Sequence, residues 1–331
     1  MQLRLPGPTG PHPIGIVEVP VVDRSRQREL MTSIWYPAGD VRSHPRAAWM
    51  PPAVMRAYVS GAGFPADAAL APLTAGHLGA PILKGARLPV VLFSHGAHDH
   101  RSDATIVVQE LASHGYIVVT VDHTYDAYTQ FPGGQVLEPV DNPPMYPPDF
   151  AADIRTVLDH VLEGPFRRAL DPHRVGAFGW SKGATAIALA AIADRRIKAG
   201  LSFDGPMVCD PPITTDLDRP FMLMTADHPR STDPAVADFW SHLHGWRLNI
   251  QAAGAIHPSY CDLQVLFPQL AAALGMSDEE LETWIGTLPP ARALRIQQAY
   301  PLAFFDQHLR GRHSPLLDGP SRAFPEVAFI P

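Results

Sequence analysis

From residue 89 onward, apolar runs alternate with segments whose apolar positions recur every three to four residues. Pro89-Val90-Val91-Leu92-Phe93-Ser94 is a continuous apolar run, which predicts a strand buried on both faces. A helix is expected over residues 103–114, with Ile106, Val107 and Leu111 on one side and Gly115 just past its end. The next buried strand falls at 116–121. A helix capped by Asp149 is expected to run to about Leu162, followed by a strand at 174–180 and an alanine-rich helix at 181–193. Further strands are predicted at 197–203, 221–225 and 246–252, and mostly helix from 262 to 308. This alternation predicts an α/β protein with a mainly parallel central sheet covered by helices on both faces.

Before residue 89 the pattern differs. Two Val- and Ile-rich strands are expected at 14–23 and 29–36. Residues 47–87 mix short helical stretches with Pro, Gly and Ala. They read as an insertion packed on a single domain of 331 residues, in which Trp49, Met50, Met55, Tyr58 and Phe64 form either a cap or wall over the acyl pocket or ordinary domain packing. The 36 prolines cluster where loops are expected, including 139–148, where Met145 and Tyr146, together with Phe131 upstream, are candidates to border a site. A small hairpin is expected about Gly133-Gly134.

Composition narrows the function. With 46% hydrophobic and 18% charged residues, the chain can bury a large core. A net charge of −7 without like-charge runs argues against nucleic acid as a partner. Two cysteines, Cys209 and Cys261, are too few for a disulfide framework and are expected as free thiols. No leader pattern or bilayer-length apolar run is visible, so a cytoplasmic protein without a membrane anchor is expected.

The chemistry centres on Gly179-Trp180-Ser181-Lys182-Gly183, a GxSxG pattern between a buried strand and an alanine-rich helix. That context suits a nucleophilic serine on a strained strand-to-helix turn, as in an α/β-hydrolase. A serine hydroxyl needs a base to take its proton. Six histidines follow Ser181, and His257, in the loop after the strand at 246–252, is the best placed. His308 and His313 look like surface residues, and His242 and His244 precede a strand on the wrong side of the sheet. For the acid that orients the imidazole, Asp204 and Asp227 both follow strands and stand nearly level. The oxyanion of a tetrahedral intermediate needs fixed N–H donors. The amide of Lys182 and that of Ala97, in the loop His95-Gly96-Ala97, are the candidates. Because these are main-chain groups, truncating either side chain is not expected to abolish activity. His95, His98, Asp99, His100 and Asp103 form a dense cluster that offers a metal-dependent hydrolase as a rival reading, though no second ligand group at metal-site spacing accompanies it.

Together these residues resemble the platelet-activating-factor acetylhydrolase-like α/β-hydrolases and their bacterial esterase relatives. The resemblance runs over most of the chain, from Thr9-Gly10-Pro11-His12-Pro13-Ile14-Gly15 and Ile34-Trp35-Tyr36-Pro37 through the strand ending His95-Gly96, the GxSxG motif, Asp204-Gly205 and Ile256-His257, to Ala303-Phe304-Phe305-Asp306. It implies Asp204 rather than Asp227 as the acid, Ala97 and Lys182 as oxyanion donors, and no metal or organic cofactor. It also implies a serine hydrolase that cleaves short-acyl or phospholipid-like carboxylic esters through an acyl-enzyme. Acyl transfer, or thioester, amide or lactone hydrolysis, remains open on the same scaffold. Lys182 and Pro258 depart from the pattern, since an uncharged residue is expected after the serine.

Overall fold

Continuous apolar runs become the centre of one eleven-stranded sheet in this computed structural model, which describes residues 1–85 and 87–331. The strands are β1 (Ile14–Asp23), β2 (Arg28–Pro37), β3 (Arg46–Ala48), β4 (Leu73–Leu78), β5 (Leu88–Ser94), β6 (Ile117–Asp122), a small hairpin of β7 (Thr129–Gln130) and β8 (Val136–Leu137), β9 (Leu170–Trp180), β10 (Ile197–Phe203), β11 (Phe221–Thr225), β12 (Arg247–Ala252) and β13 (Val327–Phe329). Their order across the large sheet is β13-β12-β11-β10-β9-β5-β6-β2-β1-β4-β3. The six strands from β12 to β6 are mutually parallel. β1 and β2 form an antiparallel pair that continues the sheet beyond β6. The expected architecture, a mainly parallel sheet with helices on both faces, is the one observed.

Of the helices α1 (Pro52–Gly61), α2 (Thr105–Ser113), α3 (Pro147–Glu163), α4 (Lys182–Ala193), α5 (Pro234–Ser241), α6 (Leu263–Leu274), α7 (Asp278–Ile285) and α8 (Pro290–Arg310), α2 to α5 and α8 divide between two cores, while α1, α6 and α7 meet in a third cluster. On one face α2 and α8 pack Val107, Leu111, Phe304 and Phe305 against Val91, Phe93, Phe178 and Leu201. On the other, α3, α4 and α5 pack Phe150, Ile154, Ile187 and Phe239 against Val90, Leu92, Ala177 and Leu223. Alternate residues of each central strand serve opposite cores, so these strands carry no polar face. None of the described helices is long and apolar enough to cross a membrane. Cys209 and Cys261 are both free.

One local expectation is corrected. Asp149 is not the cap of α3. The helix begins two residues earlier at Pro147, and Asp149, in its first turn, accepts the Tyr146 N–H at 2.8 Å. Pro147 supplies the fixed φ that suits a first helical position. The described residues of 47–87 take the packing alternative. β3 and β4 extend the sheet edge, and α1 packs Met50, Val54, Met55 and Val59 against Leu266, Phe267 and Leu270 of α6 in a separate apolar cluster.

Candidate active site

The turn between β9 and α4 is held by a close crossing. A Cβ at Gly179 would stand 2.5 Å from the main chain of Gly183, and a Cβ at Gly183 would run into the carbonyls of Ser94 and His95. Only glycine fits both positions, and the serine between them takes φ 54°, ψ −126°, outside the regions favoured by non-glycine residues. Its N–H donates to Phe203 O at 3.0 Å, while its carbonyl already accepts from Ala184 at the head of α4. Ser181 is half-buried and lines a cavity of about 420 Å³ together with Ala97, His98, Asp126, Met145, Tyr146, Lys182 and Val208.

His257 sits in a one-turn 3-10 helix, His257–Tyr260, after β12. Four contacts fix it. Its Nδ1 lies 2.6 Å from Asp204 Oδ2, and since a carboxylate can only accept, the Nδ1–H donates, which in the neutral ring leaves the lone pair on Nε2. Its main-chain N–H donates to Asp227 Oδ2 at 3.0 Å, and its carbonyl accepts Trp180 Nε1–H at 2.9 Å. The ring packs 4.9 Å from that of Trp180. Trp180 therefore ties the loop of His257 to the residue preceding Ser181. No hydrogen bond within 3.5 Å joins Ser181 Oγ to His257 Nε2 among the described residues, and such bonds commonly tighten only when substrate binds.

Of the two aspartates that the residues left level, Asp204 is the one that contacts the imidazole. It is fully buried and accepts four donors: Ala226 N–H at 2.6 Å, Asp227 N–H at 3.1 Å, His228 N–H at 3.0 Å and the imidazole. Burial alone would raise its pKa, but these hydrogen bonds, with His257 first among them, outweigh it and hold the carboxyl below its ordinary value. Asp227 touches only the main chain of His257, so it shapes the loop and leaves the ring to Asp204.

The loop after β5 carries Ala97. His95, wholly buried, spans Gly96 O with Nδ1 (2.6 Å) and the His123 N–H with Nε2 (3.0 Å). Burial pushes its pKa down to about 4, which keeps the neutral ring that this donor-and-acceptor arrangement needs. Neither the Ala97 nor the Lys182 N–H has an acceptor among the described residues. Both residues line the cavity beside Ser181.

A second Ser-His-Asp chain escaped the sequence reading. Ser94 Oγ lies 2.9 Å from His123 Nε2, and His123 Nδ1 lies 3.0 Å from Asp153 Oδ2. All three side chains are fully buried, the ring of His123 stacks on Phe150 at 3.7 Å, and Asp153 also pairs with Arg28 and Arg26. Ser94 does not line the cavity beside Ser181. This chain ties the end of β5 to the residue after β6 and to α3.

The dense polar cluster does not converge as a ligand set. His95 bonds Gly96 and His123, His98 pairs with exposed Asp141 at 3.2 Å, and His100 faces Asp122 and Arg101. Among the described residues, the one group of metal-capable side chains with atoms within 4.8 Å of one another is Asp204, His228 and His257. There His257 Nδ1 is bonded to Asp204 and His228 Nδ1 to Asp233 at 3.0 Å, so a cation would have to displace bonds already made. His308 is also not a plain surface residue. It packs on Trp246 and Phe304, and burial lowers its pKa to about 4.

The aromatic residues of 47–87 line no part of the cavity beside Ser181. Trp49, Met55, Tyr58 and Phe64 line a separate apolar pocket with α6 and α7. Met145 and Tyr146 do border the Ser181 cavity, whereas Phe131 does not. Trp180, Asp126 and Val208 are site residues the sequence reading missed. The position of Trp180 inside the GxSxG motif was the available signal for the first, and nothing local marks the other two.

Comparison with known proteins gives a consistent picture. A family model described as "Platelet-activating factor acetylhydrolase, isoform II" matches residues 1–130. A protein of Arthroderma benhamiae named "Probable 1-alkyl-2-acetylglycerophosphocholine esterase" is 30% identical over 264 residues, covering 73% of this chain and 66% of that protein. The chain thus spans just under two thirds of the length of that curated relative. The solved structure of a ferulic acid esterase from Streptomyces cinnamoneus is 32% identical, with a TM-score of 0.85, covering 100% of this chain and 99% of that one.

Proposed function

Since the chain belongs to the platelet-activating-factor acetylhydrolase-like α/β-hydrolases, an esterase family, we propose that it hydrolyses a small carboxylic ester through an acyl-enzyme on Ser181. His257 Nε2 takes the hydroxyl proton as Oγ bonds to the ester carbonyl carbon. Asp204 holds the ring in the required tautomer and balances the imidazolium. The negative charge on the former carbonyl oxygen is met by the N–H groups of Ala97 and Lys182, with the positive end of α4 behind them. The imidazolium returns its proton to the alcohol oxygen as the C–O bond breaks. Water, deprotonated by the same ring, then releases the acid and restores the serine.

The observation that carries this reading is the buried, four-times-bonded Asp204 holding an imidazole whose loop is pinned to the residue before a strained, cavity-facing serine. The cavity, about 420 Å³ with mixed polar and apolar walls, is of a size for a compact ester. The names of the relatives point to an acetylated ether phospholipid and to esters of ferulic acid, whose acyl groups, acetyl and feruloyl, differ in size, so the preference for a short acyl group rests on the cavity. A fluorophosphonate probe should label the folded chain at Ser181. A p-nitrophenyl ester series should show kcat/KM highest for short acyl groups. A folded chain that neither labels nor turns over any member of the series overturns the proposal.

A further inference from the structure

The two N–H groups assigned to the oxyanion belong to separate elements, the loop after β5 and the first turn of α4. Asp126, on the loop after β6, is 1% exposed and lies between them. Its Oδ1 accepts the His98 N–H at 2.7 Å, one residue beyond Ala97, and its Oδ2 lies 2.5 Å from Lys182 Nζ. One carboxylate therefore ties the neighbour of one oxyanion donor to the side chain of the other. His98 is held at φ 56°, a left-handed conformation that a histidine keeps only when its surroundings impose it, and the bond to Asp126 is one such constraint. On the far side, Lys182 Nζ also donates to Met145 O at 3.0 Å, which brings the wall loop 139–148 into the same assembly.

We infer that Lys182 and Asp126 form a side-chain strut that sets the spacing of the oxyanion donors. Both are positioning residues that act through the N–H groups of Ala97 and Lys182; the inference rests on the Ser181 reading. Two alternatives for the lysine are weaker. As a receptor for an anionic substrate group it would need a free ammonium, yet its charge is already met by Asp126. As a plain surface lysine it would be well exposed, yet its side chain keeps only 21% of its exposure and lies 5.2 Å from the centre of the Phe150 ring. The ammonium has a second consequence. A buried carboxylate beside a site where negative charge develops opposes catalysis unless a cation neutralises it.

The test is steady-state kinetics on Lys182→Met, Lys182→Gln and Asp126→Asn, normalised to sites titrated with a fluorophosphonate. It is paired with the Ki of a trifluoromethyl ketone, whose adduct places an oxyanion between the donors. The strut predicts that kcat falls about tenfold to a hundredfold, short of the loss from deleting the nucleophile, while KM stays within about twofold. The ketone Ki should rise by the factor by which kcat/KM falls. Asp126→Asn, which keeps an acceptor for His98, should lose less than Lys182→Met. The double variant should lose no more than Lys182→Met alone, because both break one strut. Unchanged kcat and Ki in active-site-titrated variants, or a rise in KM alone, overturns the strut and leaves the Ser181 reading intact. Absence of labelling in the unaltered chain overturns the Ser181 reading itself. If Lys182→Met does not fold, Lys182→Gln and Asp126→Asn carry the same comparison.

Discussion

Asp204 Oδ2 and His257 Nδ1 are 2.6 Å apart, and that carboxylate takes its remaining bonds from three consecutive main-chain amides, Ala226 to His228. The acid is thus fixed before the imidazole meets it. Replacing it with Asn keeps the shape but supplies an amide that favours the wrong tautomer, so Asp204→Asn is expected to lower kcat about 10⁴-fold. Asp227→Asn retains an acceptor for the His257 N–H and should stay within about tenfold of the unaltered chain, the scale of one ordinary hydrogen bond. Stopped-assay kinetics on the two variants separate the acids. Equal losses would mean that Asp204 is not the orienting group.

Ser94 and Ser181 give a second contrast. Both lie at the ends of central strands, and Ser94 has the better-formed hydrogen bond to a histidine, at 2.9 Å. Access decides between them, since Ser94 is fully buried and Ser181 opens on the cavity. Ser181→Ala should abolish fluorophosphonate labelling and reduce kcat about 10⁶-fold. Ser94→Ala should label normally, yet lose about 1–3 kcal/mol of stability, because His123 Nε2 is left without its partner. Mass spectrometry of the labelled peptide and a urea titration read the two effects. A label found on Ser94 would reverse the assignment.

These contrasts show which parts of the site were legible in the sequence. The strained turn at Ser181 was, because its two glycines answer a local steric need and its serine lies between a buried strand and a small-residue helix. The parallel sheet was legible for the same reason, each central strand being apolar on both faces. From the residues alone, which of Asp204 and Asp227 meets the imidazole was not, since both follow strands and the contact depends on which carboxylate the chain folds back over; only the family resemblance pointed to Asp204. The Ser94-His123-Asp153 chain was equally hidden, because its members are brought together by β5, β6 and α3 from across the sheet. Residues 47–87 stayed ambiguous for a different reason. Apolar residues interrupted by Pro and Gly look the same whether they roof a pocket or pack on a neighbouring helix, and here their partner, α6, lies some two hundred residues further along the chain.

Acid groups under the site make stability depend on pH. Asp99 is buried with Asp103 and Asp262 nearby, and burial pushes its carboxyl from 3.8 up to about 7 despite hydrogen bonds from Tyr58 and the main chain of His100. Between those values the folded chain holds a proton that the unfolded chain has released. The stabilising contribution of Asp99 is therefore complete below the lower value and is lost as pH rises through the upper one. Asp204 and Asp153, whose carboxyls are held below 3.8, act only at more acid pH. His95 and His100, held neutral by burial, slope the other way between about 4 or 3 and their ordinary 6.5. The net curve is a sum of opposing slopes, so the informative quantity is a difference. The Tm of Asp99→Asn minus that of the unaltered chain should grow as pH rises from 4 to about 7 and then level off. A difference that is flat across this range would mean that Asp99 is ionised throughout.

The walls of the two cavities should respond to truncation in opposite ways. Met55 is 4% exposed and packs between α1 and α6, away from the cavity that Ser181 lines. Met55→Ala removes buried apolar contacts and leaves a void, which costs about 2–5 kcal/mol of stability. The surviving folded enzyme should keep its kcat and KM, since none of the lost contacts reaches the Ser181 cavity. Tyr146 is 60% exposed and stands on the wall of that cavity, just before α3. Tyr146→Ala should leave the Tm nearly unchanged and raise KM for a short-acyl ester by about three- to tenfold at similar kcat, the loss of binding shared equally by substrate and transition state. Thermal melts and initial-rate kinetics on both variants check the pair. If Met55→Ala raises KM at constant stability, residues 47–87 form a wall of the substrate site after all, through a movement that brings α1 to the cavity mouth.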